Sequence, residues 1–132
     1  MKPDHSMPAA APGATFSIGH LEDFVRLAGG ARYDHNTNIA TLTPDATGRT
    51  GAMMSEVRID ASKNFTIDFD VFLGARDNGG DGLAFVLHND PVQSRAIGAG
   101  GDGLGASGIR NGLAFEFDTW NSGSQYGDIA DD

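Results

Sequence analysis

The chain has 132 residues and a net charge of −9, with 18 acidic side chains against 9 basic ones. Glycine supplies 19 positions, about twice its average share, and all acids but Glu22, Glu56 and Glu116 are Asp, which disfavours a helical bundle. The scattered bases argue against nucleic acid and anionic membranes, no apolar run approaches the ~18 residues of a membrane helix, and the absence of Cys removes disulfides and thiolate sites.

The stretch Met1 to Gly13 is rich in Pro and Ala and has no apolar signal-peptide core. Residues 1–15 therefore read as a flexible arm or a linker from a neighbouring domain. Ile18 to Leu27 fits either a short helical turn or a strand over Phe24 to Leu27. Weaker strand candidates are Ile39 to Leu42 and Gly51 to Ile59, with turns at Thr43-Pro44-Asp45 and Asp60-Ala61-Ser62-Lys63.

The strongest periodic segment is Asn64 to Leu73. There Phe65, Ile67, Phe69, Val71 and Leu73 alternate with Thr66, Asp68 and Asp70, which predicts a half-buried strand. After the turn Asp77-Asn78-Gly79-Gly80, a strand is predicted over Gly82 to His88, with Leu83, Phe85 and Leu87 on one face. Asn89-Asp90-Pro91 turns the chain into a Gly-rich loop between Ser94 and Asn111, long enough to expect function or disorder. A last strand, Gly112 to Asp118, carries Leu113, Phe115 and Phe117 on one face and Ala114, Glu116 and Asp118 on the other. Short strands with Gly-rich turns and no good helix predict an all-β sandwich or jelly roll.

Several motifs fail on inspection. Gly98 to Gly103 matches G-x-G-x-x-G, but no helix start follows it. Asp77 to Gly82 faintly resembles an EF-hand loop, yet the third position is Gly79 and the twelfth is His88. The four His form no ligand pair.

Glu116-Phe117-Asp118-Thr119-Trp120-Asn121 is different. Glu116 and Asp118 project from the same strand face, and two like charges side by side are unfavourable unless something cationic sits between them. The polar loop after Trp120 can return Asp128 to that cation. Carboxylates, an amide oxygen and a backbone carbonyl are the ligands Ca²⁺ prefers, and calcium is one way to staple an extracellular domain that lacks disulfides. The spacing fits a solvent-facing acidic strand edge equally well. A glycosidase reading loses its acid: jelly-roll glucanases carry E-x-D-x-x-E, and the last position here is Asn121, whose amide cannot protonate a leaving group.

Three stretches follow in order: Phe72 to Arg76, Gly80 to Pro91 and Gly112 to Trp120. Together they resemble an L-type (legume-type, concanavalin A-like) lectin domain, and His88-Asn89-Asp90-Pro91 with the Gly-rich loop resembles bacterial members from secreted adhesins. The resemblance covers residues 16–132. It implies a concanavalin A-like jelly-roll β-sandwich, here an incomplete domain truncated at its C-terminal side. It also implies calcium-dependent carbohydrate binding without catalysis, in a larger multidomain protein outside the cell or at its surface.

Residue by residue, the resemblance implies that Asp81 accepts hydrogen bonds from sugar hydroxyls, after a cis Gly80–Asp81 peptide. It gives Glu116, Asp118, the Trp120 carbonyl, Asn121 and Asp128 to the metal. Trp120 and Asn121 also touch the sugar, as does a backbone N–H at Gly101 or Asp102. Asn121 follows Trp120 directly, where many members have one residue between, so Ser122 competes for its role and Asp131 for that of Asp128. A second, transition-metal site is implied only if a His follows Asp132. The alternative is a structural or protein-binding sandwich without a working sugar site.

Overall fold

The computed structural model describes residues 25–75 and 80–120. Its regular structure is all strand, apart from two single 3-10 turns. The described residues form three antiparallel two-stranded sheets. Strand β1 (Val25–Gly29) pairs with β4 (Gly51–Ser55), and β2 (Arg32–Asp34) pairs with β3 (Ile39–Thr41). Strand β5 (Gly82–His88) pairs with β6 (Gly112–Asp118).

Side-chain capping of turns sets several boundaries. In the β2–β3 hairpin the Asp34 carboxylate accepts the Asn36 N–H at 2.9 Å, and the Tyr33 hydroxyl donates to Asn38. Strand β2 was not expected from the sequence, whereas Ile39 to Leu42 was, one residue longer than found. Strand β4 stops at Ser55 rather than continuing to Ile59. There the Ser55 hydroxyl donates to the Val57 carbonyl at 2.8 Å and accepts the Val57 N–H at 3.0 Å, closing a turn. The turn at Asp60 forms as its residues predict: Asp60 Oδ1 accepts the Ser62 N–H at 3.1 Å, and the Lys63 N–H reaches the Asp60 carbonyl at 3.1 Å.

Asn64 to Leu73 is a correction. It has no strand ladder, although its alternation is the clearest in the chain. Periodicity specifies a face, whereas a strand also needs a neighbour to take its N–H and C=O groups. None of the described strands pairs with this segment. It does lean on β5: the Phe69 ring stacks on Phe85 at 5.2 Å, and Phe85 meets Phe115 across the ladder at 6.4 Å.

The connection between β5 and β6 is ordered by its own bonds, not by regular structure. Single 3-10 turns form at Gln93–Arg95 and Gly101–Gly103. The Gly98 N–H reaches the Gly105 carbonyl at 2.8 Å, and the Ala99 N–H reaches that of Ser107 at 2.9 Å. A Cβ on Gly98 would stand 2.5 Å from the Gly105 carbonyl oxygen, so only glycine permits this crossing. Ala96 and Ala106 in this loop are the buried hydrophobic residues among those described. The Phe face of the β5–β6 sheet stays half open, which fits an incomplete sandwich.

Candidate functional site

The β5–β6 ladder ends where Gly82 faces Asp118. One step beyond, the Thr119 N–H donates to the Asp81 carbonyl at 3.0 Å, so the two chains stay together past the last strand residues. Gly82 makes this approach possible. Its φ is +130°, and a Cβ there would lie 2.1 Å from the Phe117 carbonyl oxygen.

Asp118 then bends the chain. Its Oδ1 accepts the Trp120 N–H at 2.9 Å, a short side-chain turn that interrupts the strand. The bend lays the Trp120 indole near Gly80, where an added Cβ would stand 3.8 Å from the ring atom Cε3. Trp120 keeps 48% of its surface open, and Asp81 is half-buried. Asp81, Asp118 and Trp120 thus share one corner, although Asp81 comes from a different stretch of sequence.

Glu116 faces Ala84 in the ladder, two residues before Asp118, so both carboxylates leave the same face of β6. They are hard oxygen donors of the type Ca²⁺ takes, and the Trp120 carbonyl is a third. Among the described residues no group of three or more His, Cys, Asp or Glu gathers closely enough to hold a metal. Asn121 and Asp128, with the competing Ser122 and Asp131, lie outside the described residues.

Two further expectations meet the structure differently. The Gly80–Asp81 peptide is trans, since the described residues contain no cis bond. Trans is the cheaper isomer by about 2.5–4 kcal/mol at a non-proline position. Gly101 and Asp102 belong to the 3-10 turn of the β5–β6 connection, which leaves the ladder at its His88 end. Gly101 has φ +63°, and the preceding Gly100 is pressed against the Thr50 side chain beside β4.

Sequence reasoning missed the role of Asp90. Read as turn chemistry, it is the buried polar residue among those described, 5% exposed. Its Oδ1 accepts the Val92 N–H at 3.0 Å, and its Oδ2 accepts the Arg110 N–H at 2.8 Å. The Arg110 Nε stands 3.6 Å from the same oxygen. These backbone donors hold the Asp90 carboxyl below its ordinary value of 3.8. Asp90 therefore ties together the two ends of the Gly-rich connection. Its local half, an Asp before Pro, is visible in sequence, but its distant partner is not.

A model of the legume lectin β-barrel domain matches residues 16–132. Pesticidal crystal protein Cry22Aa of Bacillus thuringiensis is 38% identical over 92 residues, which is 70% of this chain and 12% of that protein. The serine-rich adhesin for platelets of Staphylococcus aureus strain MRSA252 is 34% identical over 115 residues, covering 84% of this chain and 8% of the adhesin. In strain USA300 the same alignment covers 5% of the adhesin. The chain thus spans only a small part of the length of the curated relatives it matches. No solved structure matches it.

Proposed function

The chain belongs to the legume lectin β-barrel domain family, and from that premise we propose that it is a calcium-dependent carbohydrate-binding module of an extracellular or cell-surface protein. The observation that supports this most is the corner where Asp81, Asp118 and Trp120 meet. A half-buried carboxylate accepts hydrogen bonds from sugar hydroxyls, and a half-open indole covers the sugar's apolar face. In this reading residues 16–132 form the lectin part, and residues 1–15 are a linker to the rest of a multidomain protein.

Glu116, Asp118, the Trp120 carbonyl, Asn121 and Asp128 would hold the ion. Calcium would fix the Asn121 amide, which reads a sugar hydroxyl beside it, so metal and sugar binding are coupled. A second, transition-metal site belongs to this reading only if a His lies downstream. The ligand is a glycan or polysaccharide. The module does no catalysis, because Asn121 stands where a glucanase of similar pattern needs its acid.

A glycan array probed with the whole protein, with and without a calcium chelator, tests the reading. Spots that appear only with calcium are expected. No glycan binding under either condition favours the alternative, a sandwich that binds protein or serves structure.

A further inference from the structure

The Asp90 staple borders a cleft of about 220 Å³. Val92, Ile97 and Ile109 line it, together with buried Asp90 and the exposed Arg95 and Arg110. The Asp90 carboxylate is already engaged: each of its oxygens accepts a backbone N–H. Arg110 approaches it through Nε at 3.6 Å, an ionic contact longer than a hydrogen bond. Arg95 has no side-chain hydrogen bond or ionic partner among the described residues. Two guanidinium groups and one occupied carboxylate leave a local positive charge, in a chain whose net charge is −9.

We propose that this cleft binds the carboxylate of an acidic, uronate-type sugar residue. Guanidinium groups match a carboxylate in charge and planar geometry. Val92 and Ile97, 50% and 45% exposed, offer an apolar surface to the ring's C–H groups. The cleft is smaller than the ~300–1,000 Å³ of a drug-sized pocket, so it suits one sugar unit better than a length of acidic peptide. The inference rests on the sugar-binding reading and goes beyond it: the cleft lies in the connection at the His88 end of the β5–β6 ladder, opposite the Asp81 corner, and adds a second site for an acidic glycan.

The test titrates trigalacturonate and its carboxyl-reduced, neutral counterpart into the whole protein by calorimetry, for the wild type, Arg95→Gln and Asp81→Ala. Arg95 is exposed, so the substitution leaves the fold in place. The wild type is expected to prefer trigalacturonate by about fivefold to tenfold at low salt. Arg95→Gln should erase that preference and leave the neutral form's affinity unchanged. Equal affinity for the two probes in the wild type overturns the proposal, as does a preference that survives Arg95→Gln. Tighter binding of a poly-glutamate peptide than of trigalacturonate overturns it in favour of a protein ligand. If Asp81→Ala binds the neutral form unchanged while Arg95→Gln loses the acidic preference, the Asp81 assignment fails and the acidic cleft stands.

Discussion

The Arg110 backbone N–H donates to the Asp90 carboxylate at 2.8 Å, joining the two ends of the long β5–β6 connection. Loop closure of this kind fixes both backbone and side chains, and a buried acceptor in such a bond is costly to remove. Asp90→Ala should therefore loosen the Gly-rich connection more than it disturbs the ladder. Amide hydrogen exchange is expected to rise at Val92, Ala99 and Arg110, whose N–H groups bond within this unit, and to change little at Phe85 and Phe115. Uniform loss of protection would show that the loop and the ladder open as one unit.

Acid should reproduce that effect. Backbone N–H groups at Val92 and Arg110 lower the Asp90 pKa in the folded state below 3.8. A depressed carboxylate contributes stability above its unfolded pKa, and that contribution is lost as pH falls through the folded value. The connection should stay protected at neutral pH and lose protection progressively once the pH falls below the ordinary aspartate value. Asp90→Asn should remove this acid dependence at Arg110. A loop that opens at the same pH in both proteins would place the sensitive group elsewhere.

The sequence and the structure agree best where pattern and partner coincide. Gly112 to Asp118 alternates, Gly82 to His88 is a short apolar run bounded by turn residues, and the two pair with each other, so both their bounds and their faces were legible. Asn64 to Leu73 alternates as cleanly but pairs with none of the described strands, and periodicity does not encode a partner. Arg32–Asp34 is the reverse case, too short for a period and held by the turn chemistry of Asp34 and Asn38. In the site, the same-face relation of Glu116 and Asp118 follows from a two-residue spacing. The approach of Trp120 to Gly80 depends on a bend and a cross-strand register that local sequence does not state.

Gly82 is a strict requirement of that corner. Its φ of +130° is outside what a side chain adopts easily, and a Cβ would meet backbone atoms at 2.1 Å. Gly82→Ala should shift the Asp81 end of β5 away from β6 and break the Thr119 to Asp81 bond. At a compatible position Gly to Ala stabilises by about 0.4–1 kcal/mol; at this positive φ the change should instead destabilise by more than about 1 kcal/mol. A thermal midpoint equal to that of the wild type would show that the ladder end yields without loss.

Asp81→Ala removes the carboxylate proposed to face the sugar and keeps the backbone carbonyl that accepts the Thr119 N–H. Loss of two charged hydrogen bonds, each about 1.5–3 kcal/mol, should reduce glycan affinity by about 100-fold or more while the melting temperature holds. Glu116→Gln should instead weaken calcium binding and reduce sugar affinity only indirectly, with excess calcium restoring it. Calorimetry with calcium alone and then with glycan separates the two variants. Full glycan affinity in Asp81→Ala would falsify its assignment.

The last expectation concerns residues 1–132 expressed alone. Phe65, Phe69, Phe115 and Phe117 remain 46%, 49%, 52% and 39% exposed, and among the described residues each sheet has two strands. Burying a large apolar side chain fully is worth about 1.5–3 kcal/mol, so four half-covered Phe forgo about 3–6 kcal/mol, which reaches the lower end of the ~5–15 kcal/mol net stability of a domain. Every two-stranded sheet also offers two unpaired edges, which recruit other chains. This piece should elute as heterogeneous oligomers, bind a hydrophobic dye and melt without a sharp transition. Adding further strands of the sandwich, in the same chain or as a separate fragment, should suppress dye binding by covering the Phe69, Phe85 and Phe115 face. A monomer that melts cooperatively on its own would mean that these side chains find cover within the 132 residues, and the incomplete-sandwich reading would have to be abandoned.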